Sequence, residues 1–457
     1  MALHAVLALA ARAAMVEPMR LFRYLLAPAL TLALPPVALA APTASERTMI
    51  ATVDKEQART LALLEKLVNQ NSGSRNIAGN KAVIAMLTPE FEALGFKVTF
   101  LPMEQTGRAG HLLATHVGAR GAKRLLLIGH TDTVFEPDSP FQTFARDGDK
   151  AMGPGVGDDK GGVVTILAAL RAMQAAGTLT RANIEVFLTG DEEDAGDPQS
   201  AARADLIAAG KRADAALDFE GLVRLQGPDG MPVDMGSIAR RSAFSWTLTV
   251  EAKSGHSSGV FGDVGDGAIY ALARMLAAFR AEVPEPNLTL NVGLVGGGAD
   301  ASLDGDQARV SASGKTNIIA ARALARGDLR TLSPEQHAAA VARMQAIVAR
   351  PYAGASAKLA FEDGYPPMAP TEGNRALLAR LNDVNATLGL PAMPALDPAK
   401  RGAGDISFVA ADVAGLAGLG PSSSGDHTPA ETVDVPSIWL QAKRAALLMS
   451  QLAAEKR

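Results

Sequence analysis

The sequence predicts an α/β protein with a mainly parallel sheet and an inserted α+β domain of the ferredoxin-like type. Helical and strand-like segments alternate from about residue 56, which is typical of a parallel sheet covered on both faces. Near residue 240 the pattern changes to alternating half-buried strands. After FEDGYPPMAP (361–370) the alternation of helix and strand returns.

Length and composition exclude several classes of protein. The chain has 457 residues, so we expect two domains, with three possible. An apolar content of 48% with 20% charged residues indicates a globular protein. The net charge of −4 and the 4% aromatic content argue against nucleic-acid binding. Because there are no cysteines, any bound metal must be held by His, Asp and Glu.

The N-terminal segment has the features of a signal peptide. MRLFRYLLAPALTLALPPVALA begins at Met19, carries Arg20 and Arg23, and ends in the small-x-small tripeptide ALA (38–40). A membrane anchor is disfavoured, because the apolar stretch is interrupted by prolines and is shorter than the ~20 residues that span a bilayer. We therefore expect residues 1–40 to be a signal peptide with its true start at Met19. The mature protein would be periplasmic or secreted.

The first part of the main domain is predicted at residues 41–240. The spacing predicts helices over 57–69, 80–94 and 161–177, and strands over 96–101, 124–129, 183–190 and 215–221. The third helix begins with two glycines and stops at Gly177, which is a common helix end.

The middle of the chain, residues 241–362, is predicted to be the inserted domain. Strands are expected at 244–252, 287–294, 310–319, 325–331 and 357–362, and helices at 268–281 and 334–349. This order makes two βαβ-like halves, which is the size of a ferredoxin-like sandwich. Residues 363–457 are then the second part of the main domain, which ends in a long helix from Ser437.

Acidic or imidazole side chains follow the predicted strands of the main domain. They are His130 and Asp132 in GHTDTV (129–134), Asp158 and Asp159 in GPGVGDDKGG (153–162), Asp191, Glu192 and Glu193 in FLTGDEED (187–194), and Asp218 and Glu220 in LDFEG (217–221). Ligands of open α/β sheets collect at the carboxyl ends of the strands. Carboxylates gathered there would repel one another, so we expect a pair of divalent metals to neutralise them.

Each segment also has a plainer explanation. A histidine and an aspartate after a strand are more often a cap or an ion pair, and an acidic run often begins a solvated helix. The glycine loop is similar to a dinucleotide-binding loop, but Asp158 replaces the third glycine and would repel a phosphate. Each of these explanations accounts for one segment. A metal site accounts for acidic or imidazole side chains after several strands at once.

The chain resembles the M20 family of metallopeptidases. GHTDTV, GPGVGDDKGG, GDEED, FEG, SGHSS, TNIIAARALARGDLR and GDHTPAE occur in the family's order, over nearly the whole mature chain. The resemblance is strongest to the glutamate carboxypeptidase (carboxypeptidase G2-like) branch. It implies a di-zinc hydrolase domain with an inserted dimerisation (lid) domain, and an exported carboxypeptidase that cleaves an amide bond next to a C-terminal amino acid.

The resemblance also implies roles for individual residues. The implied ligands of two Zn²⁺ ions, or of Co²⁺ or Mn²⁺, are His130, Asp158, Glu193, Glu220 and His427. Asp158 would bridge both metals, and its peptide bond to Asp159 would be cis. Glu192 matches the general base that takes a proton from water and passes it to the leaving nitrogen. Asp132 matches the carboxylate that orients the first histidine.

Three residues of the inserted domain receive roles in the same way. His256 matches a histidine that reaches the other subunit's site in a homodimer and stabilises the developing oxyanion. Asn317 and Arg330 match residues that grip the substrate's carboxylate, for which the fork of arginine is suited. Without the resemblance, Arg330 would be taken for a surface charge at a strand end.

The sequence departs from the family pattern at Tyr365, where glutamate-releasing members have the arginine of Gly-Arg-Pro. The side chain that the enzyme prefers at the C-terminus of its substrate therefore stays open. We expect a small peptide or N-acyl amino acid substrate, and neither nucleic acid nor membrane as a partner. Two alternatives remain: an N-acyl amino acid deacylase, and a non-catalytic binding protein, which the complete set of Glu192 and ligands disfavours.

Overall fold

The computed structural model describes residues 41–305 and 307–457. The predicted signal peptide and the start at Met19 lie outside the described residues and stay predictions. Within the described part of the chain, no helix combines the length and the apolar character that crossing a membrane requires.

Four helices of the described residues begin at a polar side chain that caps them, namely the first, third, eighth and ninth along the chain. Thr43, for example, accepts the main-chain N–H of Glu46 at the start of the first helix. The helices are α1 (Ala44–Lys55), α2 (Gln57–Val68), α3 (Ile77–Glu92), α4 (Lys160–Ala175), α5 (Gln199–Ala202), α6 (Ala204–Arg212), α7 (Gly267–Glu282), α8 (Pro334–Val348), α9 (Glu372–Thr387) and α10 (Val435–Ala454).

The strands belong to two large sheets and several short ribbons. They are β1 (Lys97–Pro102), β2 (Gly110–His116), β3 (Arg124–His130), β4 (Ala145–Asp147), β5 (Lys150–Met152), β6 (Asn183–Thr189), β7 (Ala215–Asp218), β8 (Arg224–Gln226), β9 (Pro232–Asp234), β10 (Phe244–Ala252), β11 (Gly255–His256), β12 (Thr289–Gly298), β13 (Asp300–Leu303), β14 (Val310–Ser313), β15 (Ile318–Ile319), β16 (Arg322–Arg330), β17 (Ala355–Phe361), β18 (Gly415–Leu416), β19 (Ser423–Ser424) and β20 (Thr432–Asp434).

The main sheet has six strands in the order β1-β2-β6-β3-β7-β18. Strands β6, β3, β7 and β18 are parallel, and β1 and β2 form an antiparallel edge. The predicted mainly parallel sheet is therefore confirmed. Strand β3 is buried from Leu125 to His130 and lies between β6 and β7, so it delivers His130 to the middle of the sheet's carboxyl edge.

Helices cover both faces of this sheet. On one face, α4 is buried along nearly its whole length and packs against α10 and α1. A Cβ atom at Gly162 would lie 2.1 Å from the main-chain oxygen of Phe219, so glycine lets α4 begin directly against the end of β7. On the other face, Leu206 of α6 packs with Ile406 and Val409 in a smaller apolar cluster. The main domain is thus a three-layer α/β structure.

The second sheet is antiparallel throughout, in the order β12-β16-β10-β17. Helix α7 connects β10 to β12, and α8 connects β16 to β17. Trp246 of β10 and Phe279 of α7 pack edge to face, with ring centroids 5.8 Å apart, in a separate apolar core. This connectivity is that of a ferredoxin-like fold, as predicted. The sheet lies within the range 241–362 that the sequence predicts for the inserted domain.

The prediction of one continuous strand over 310–319 is wrong. It is divided into β14, which pairs with β13, and β15, which pairs with β11. Residues 314–317 turn between them, with the N–H of Ile318 donating to the carbonyl oxygen of Lys315. The turn carries Asn317 toward the loop that contains His256.

The two segments that join the domains pair with each other. The N–H groups of Arg240 and Met368 each donate to the other's carbonyl oxygen, at 3.0 and 2.9 Å. Ala243 and Tyr365 exchange two further bonds of 3.0 Å. We call residues 240–243 and 365–368 the paired linker. It holds the entry and the exit of the inserted domain side by side.

Candidate functional site

His130 lies at the carboxyl end of β3 with its ring fixed from both sides. Its Nδ1 lies 3.3 Å from Oδ1 of Asp132, and its Nε2 lies 2.9 Å from Oδ1 of Asp158. Burial lowers the pKa of His130, but the hydrogen bonds to Asp132 and Asp158 outweigh it and raise the pKa well above its usual value. The ring therefore presents Nε2 to the carboxylate of Asp158.

Asp132 is fully buried and serves two functions at once. Besides facing His130, its carboxylate accepts the hydroxyl of Ser74 at 2.6 Å and the main-chain N–H groups of Glu192 and Glu193 at 3.0 Å each. Burial raises the pKa of Asp132, but the bonds from His130 and Ser74 lower it below its usual value. One anion thus fixes both the histidine and the acidic loop after β6.

Asp158 lies in the glycine loop before α4, and its peptide bond to Asp159 is cis, as the resemblance implies. The loop is held by Glu431, whose carboxylate accepts the N–H groups of Gly155, Gly157 and Asp158 at 3.0, 2.9 and 3.1 Å. Burial raises the pKa of Glu431 to about 7. Glu431 was not predicted to have a role, although it ends the GDHTPAE motif.

Glu193 and His427 complete a compact group around Asp158. Nε2 of His427 lies 3.2 Å from Oδ2 of Asp158 and 3.1 Å from Oε2 of Glu193. Ligand atoms of His130, Asp158 and Glu193 all lie within 4.8 Å of one another. The pKa of His427 is raised to about 11 by its bonds to Asp158 and Glu193. Burial raises the pKa of Glu193 to about 7.

Glu220 follows β7 but lies outside that 4.8 Å group. Its Oε2 accepts from Nη2 of Arg240 at 2.6 Å and lies 3.4 Å from Nη2 of Arg401. Its Oε1 is buried and has no hydrogen-bond partner. A buried carboxylate oxygen without a partner is costly, so Glu220 has one oxygen available for a ligand.

Glu192 lies on the same loop as Glu193. Its main-chain N–H donates to Asp132, and its carbonyl oxygen accepts the hydroxyl of Tyr365. Burial, followed by the charge of Glu220, raises the pKa of Glu192 well above its usual value. A carboxyl group with a raised pKa is suited to exchange protons near neutral pH.

Asp158, Glu192, Glu193, Glu220 and His427 line a cleft of about 440 Å³ that is also rich in positive charge. Four basic residues line it, namely Arg224, Arg240, Lys400 and Arg401. None of the four was predicted from the sequence, because an arginine or lysine in a polar segment has no periodic signal. The only hint was the need for cations near so many carboxylates.

The three predicted site residues of the inserted domain lie apart from the metal-ligand group. His256 is exposed, and its Nδ1 lies 2.8 Å from the hydroxyl of Ser258. The carbonyl oxygen of Asn317 accepts the N–H of Ser257 at 3.0 Å, so Asn317 and His256 are neighbours. Arg330 ends β16 and binds Asp328 at 2.9 Å. Their roles stay predictions.

The residues present fit a pair of divalent cations. Imidazole nitrogens and carboxylate oxygens are ligands that Zn²⁺ prefers, and Co²⁺ or Mn²⁺ accept the same set. Burial, followed by neighbouring carboxylates, raises the pKa of Glu192, and burial raises that of Glu193, which is compatible with a cation at this group. The unpartnered Oε1 of Glu220 agrees with the same conclusion.

The chain matches the model of one protein family. The model of peptidase family M20/M25/M40 matches residues 126–451. Carboxypeptidase G2 of Pseudomonas sp. (strain RS-16) is 28% identical over 417 residues, which covers 88% of this chain and 91% of that protein. Acetylornithine deacetylase of Klebsiella pneumoniae is 32% identical over 241 residues, which covers 49% of this chain and 57% of that protein.

Solved structures share the fold. The aminopeptidase PepT of Bacillus cereus has a TM-score of 0.68 at 18% identity, covering 87% of this chain and 99% of that one. The YXEP protein of Bacillus subtilis, described as a dinuclear metal-binding peptidase, has a TM-score of 0.61 at 16% identity, covering 88% and 99%.

Glu431 is expected to control metal affinity by holding the Asp158 loop. The change Glu431→Gln keeps the size of the side chain but removes the negative charge to which three N–H groups donate. Metal affinity should fall by about 10- to 100-fold, the usual cost of removing a group that orients a ligand. Competition with a chromogenic chelator measures it.

Glu46→Gln is the matched control, because Glu46 also accepts a main-chain N–H, at 2.7 Å from Thr43, but lies in the cap of α1. It should leave metal affinity unchanged. Equal affinity of Glu431→Gln and the native protein would contradict the role given to Glu431.

Proposed function

The chain belongs to peptidase family M20/M25/M40, and from that premise we propose that it is an exported zinc-dependent carboxypeptidase. It would hydrolyse an amide bond next to a C-terminal amino acid. The observation that carries the proposal is the placement of Glu192 directly beside the group formed by His130, Asp158 and Glu193. The similarity to carboxypeptidase G2 along most of both chains supports it.

The chain's own residues divide the work of hydrolysis. We propose that His130, Asp158, Glu193, Glu220 and His427 hold two zinc ions, with Asp158 shared between them. When bound, such a pair of cations polarises the amide carbonyl and makes water more acidic. Glu192 takes a proton from the attacking water and delivers it to the leaving nitrogen. Its raised pKa suits it to hold that proton between the two steps.

The inserted domain is proposed to complete the site across a homodimer. His256 of the partner subunit would stabilise the developing oxyanion, and Asn317 and Arg330 would bind the substrate's carboxylate. The exposed position of His256, away from its own subunit's acidic cluster, supports a contact with another molecule.

A second candidate function is deacylation of an N-acyl amino acid. The similarity to acetylornithine deacetylase favours it. So does the position of Tyr365, which stands where an arginine is expected in glutamate-releasing members. The hydroxyl of Tyr365 donates to the main-chain oxygen of Glu192. It therefore does not take over the binding of a substrate carboxylate from that arginine.

Hydrolysis is expected to require metal. Removal of metal by a chelator should abolish cleavage, and Zn²⁺ should restore it, because the ligand carboxylates cannot act on the carbonyl alone. Metal analysis combined with a screen of dipeptides, folate-type amides and N-acyl amino acids checks this and separates the two candidate functions. Full activity of metal-free protein would refute the proposal.

Glu192→Gln is expected to lower kcat by about 10²–10⁴-fold, the usual effect of losing a general base. Metal content should stay near that of the native protein, because the neighbouring Glu193 is the proposed ligand. The matched Glu193→Gln variant should instead lose metal. If Glu192→Gln loses metal and Glu193→Gln keeps it, the two roles are exchanged.

His256→Ala is expected to lower kcat by about 10²–10³-fold, the effect of one lost oxyanion donor, with folding and metal content unchanged. Mixing this variant with Glu192→Gln after subunit exchange places both lesions at one site of each heterodimer and leaves the other intact. Activity should partly return. A mixture that exchanges subunits and stays inactive would show that His256 does not act in the other subunit.

A further inference from the structure

Tyr365 lies on the paired linker and contacts the loop that carries Glu192. Its hydroxyl donates to the main-chain oxygen of Glu192 at 2.5 Å and accepts from Nη2 of Arg203 at 3.0 Å. Its ring packs edge to face on Phe408, with centroids 5.0 Å apart. The side chain is thus directed at the proposed base rather than at solvent.

The direction of these hydrogen bonds is set by Arg203. This guanidinium is fully buried and binds Asp191 Oδ1 at 2.6 Å, the main-chain oxygen of Asp191 at 2.9 Å and Asp405 Oδ1 at 2.8 Å. Two buried carboxylates therefore fix its position. Because arginine can only donate, the hydroxyl oxygen of Tyr365 accepts from it, and the hydroxyl proton must go to Glu192.

The main chain of Glu192 is consequently held at both of its polar groups. Its N–H donates to Asp132, which follows β3 of the main sheet. Its carbonyl oxygen accepts from Tyr365, which belongs to the paired linker. With both groups fixed, the main chain of Glu192 is held in place, and its side chain, which lines the cleft, can move only by its own rotations.

The other strand of the paired linker reaches the same site. Arg240 donates to Asp218 at 3.0 Å and to Glu220 at 2.6 Å. Arg240 and Tyr365 lie on linker strands that are hydrogen-bonded to each other. The paired linker therefore contacts both the proposed base and a proposed metal ligand.

We propose that Tyr365 is a positioning residue for the general base. It holds the main chain of Glu192 so that the carboxylate reaches both the attacking water and the leaving nitrogen. The proposal rests on the proposed function, in which Glu192 is the base. It also explains the departure at position 365, because a tyrosine hydroxyl can join Arg203 to a carbonyl oxygen, whereas an arginine there would place a second cation beside Arg203.

Tyr365→Phe tests the proposal, because it removes the hydroxyl and keeps the ring on Phe408. We expect kcat to fall by about 10- to 100-fold, since a small misplacement of a catalytic group has effects of that size. KM and metal content should stay close to native values, because neither substrate nor metal is bound by Tyr365.

Tyr352→Phe is the matched control. The hydroxyl of Tyr352 also donates to a main-chain oxygen, that of Ile347 at 3.0 Å, but within the inserted domain. Tyr352→Phe loses this one bond, whereas Tyr365→Phe loses the bond to Glu192 and the bond from Arg203, so Tyr365→Phe should lower the thermal stability more. Only Tyr365→Phe should lower kcat.

A second measurement separates positioning from a general structural role. Combined with Glu192→Gln, the change Tyr365→Phe should lower the residual kcat no further, because the group that it positions is already lost. A further fall of the same size as in the native background would overturn the proposal. So would a native kcat for Tyr365→Phe, or an equal loss of kcat in Tyr352→Phe.

The activities of Glu192→Gln and Tyr365→Phe together show whether the proposed function or only the proposed role of Tyr365 fails. If Glu192→Gln retains native activity, the general base is another group and the proposed function fails with it. If Glu192→Gln is inactive while Tyr365→Phe has native kcat, the proposed function stands and the role of Tyr365 alone is wrong.

Discussion

The carboxylate of Asp132 is the interaction on which the geometry of the site depends. It binds the ring of His130, the hydroxyl of Ser74 and the N–H groups of Glu192 and Glu193. It therefore joins the end of β3 to the loop after β6, two neighbouring strands of the main sheet. Without this anion, the ring of His130 and the N–H groups of the acidic loop would lose the acceptor that they share.

The second constraint is electrostatic, because the sheet brings many carboxylates to one edge. The protein offsets part of their repulsion with buried arginines: Arg203 binds Asp191 and Asp405, and Arg240 binds Glu220. Arginine is suited to such sites because its charge survives burial. Asp158 and Glu193, the carboxylates beside His427, have no arginine partner among the described residues, and both are proposed metal ligands. Arg203 thus pairs with carboxylates that are not proposed as ligands, whereas Glu220 is bound by arginine through Oε2 and keeps Oε1 without a partner.

The sequence allowed the sheet and the acidic loops to be predicted, because both have local signals. The apolar run before His130 marks a buried strand, and its end marks the edge where ligands collect. Glu431, Arg203 and Arg240 were missed because their contacts join segments far apart in the chain and leave no periodic pattern. The strand at 310–319 was predicted as continuous, although the dipeptide Ser313-Gly314 is typical of turns and precedes the turn at residues 314–317.

The paired linker has a consequence for the order of folding. Ala243 and Tyr365 are hydrogen-bonded neighbours, so the two ends of the inserted domain lie side by side. With respect to the main domain, the insertion is therefore a closed loop. The entropic cost of closing a loop rises only slowly with its length, and a domain that folds by itself brings its own ends together. The strands β7 and β18, which lie on either side of the insertion in sequence and pair in the sheet, can then associate by closing a loop that no longer includes the inserted domain.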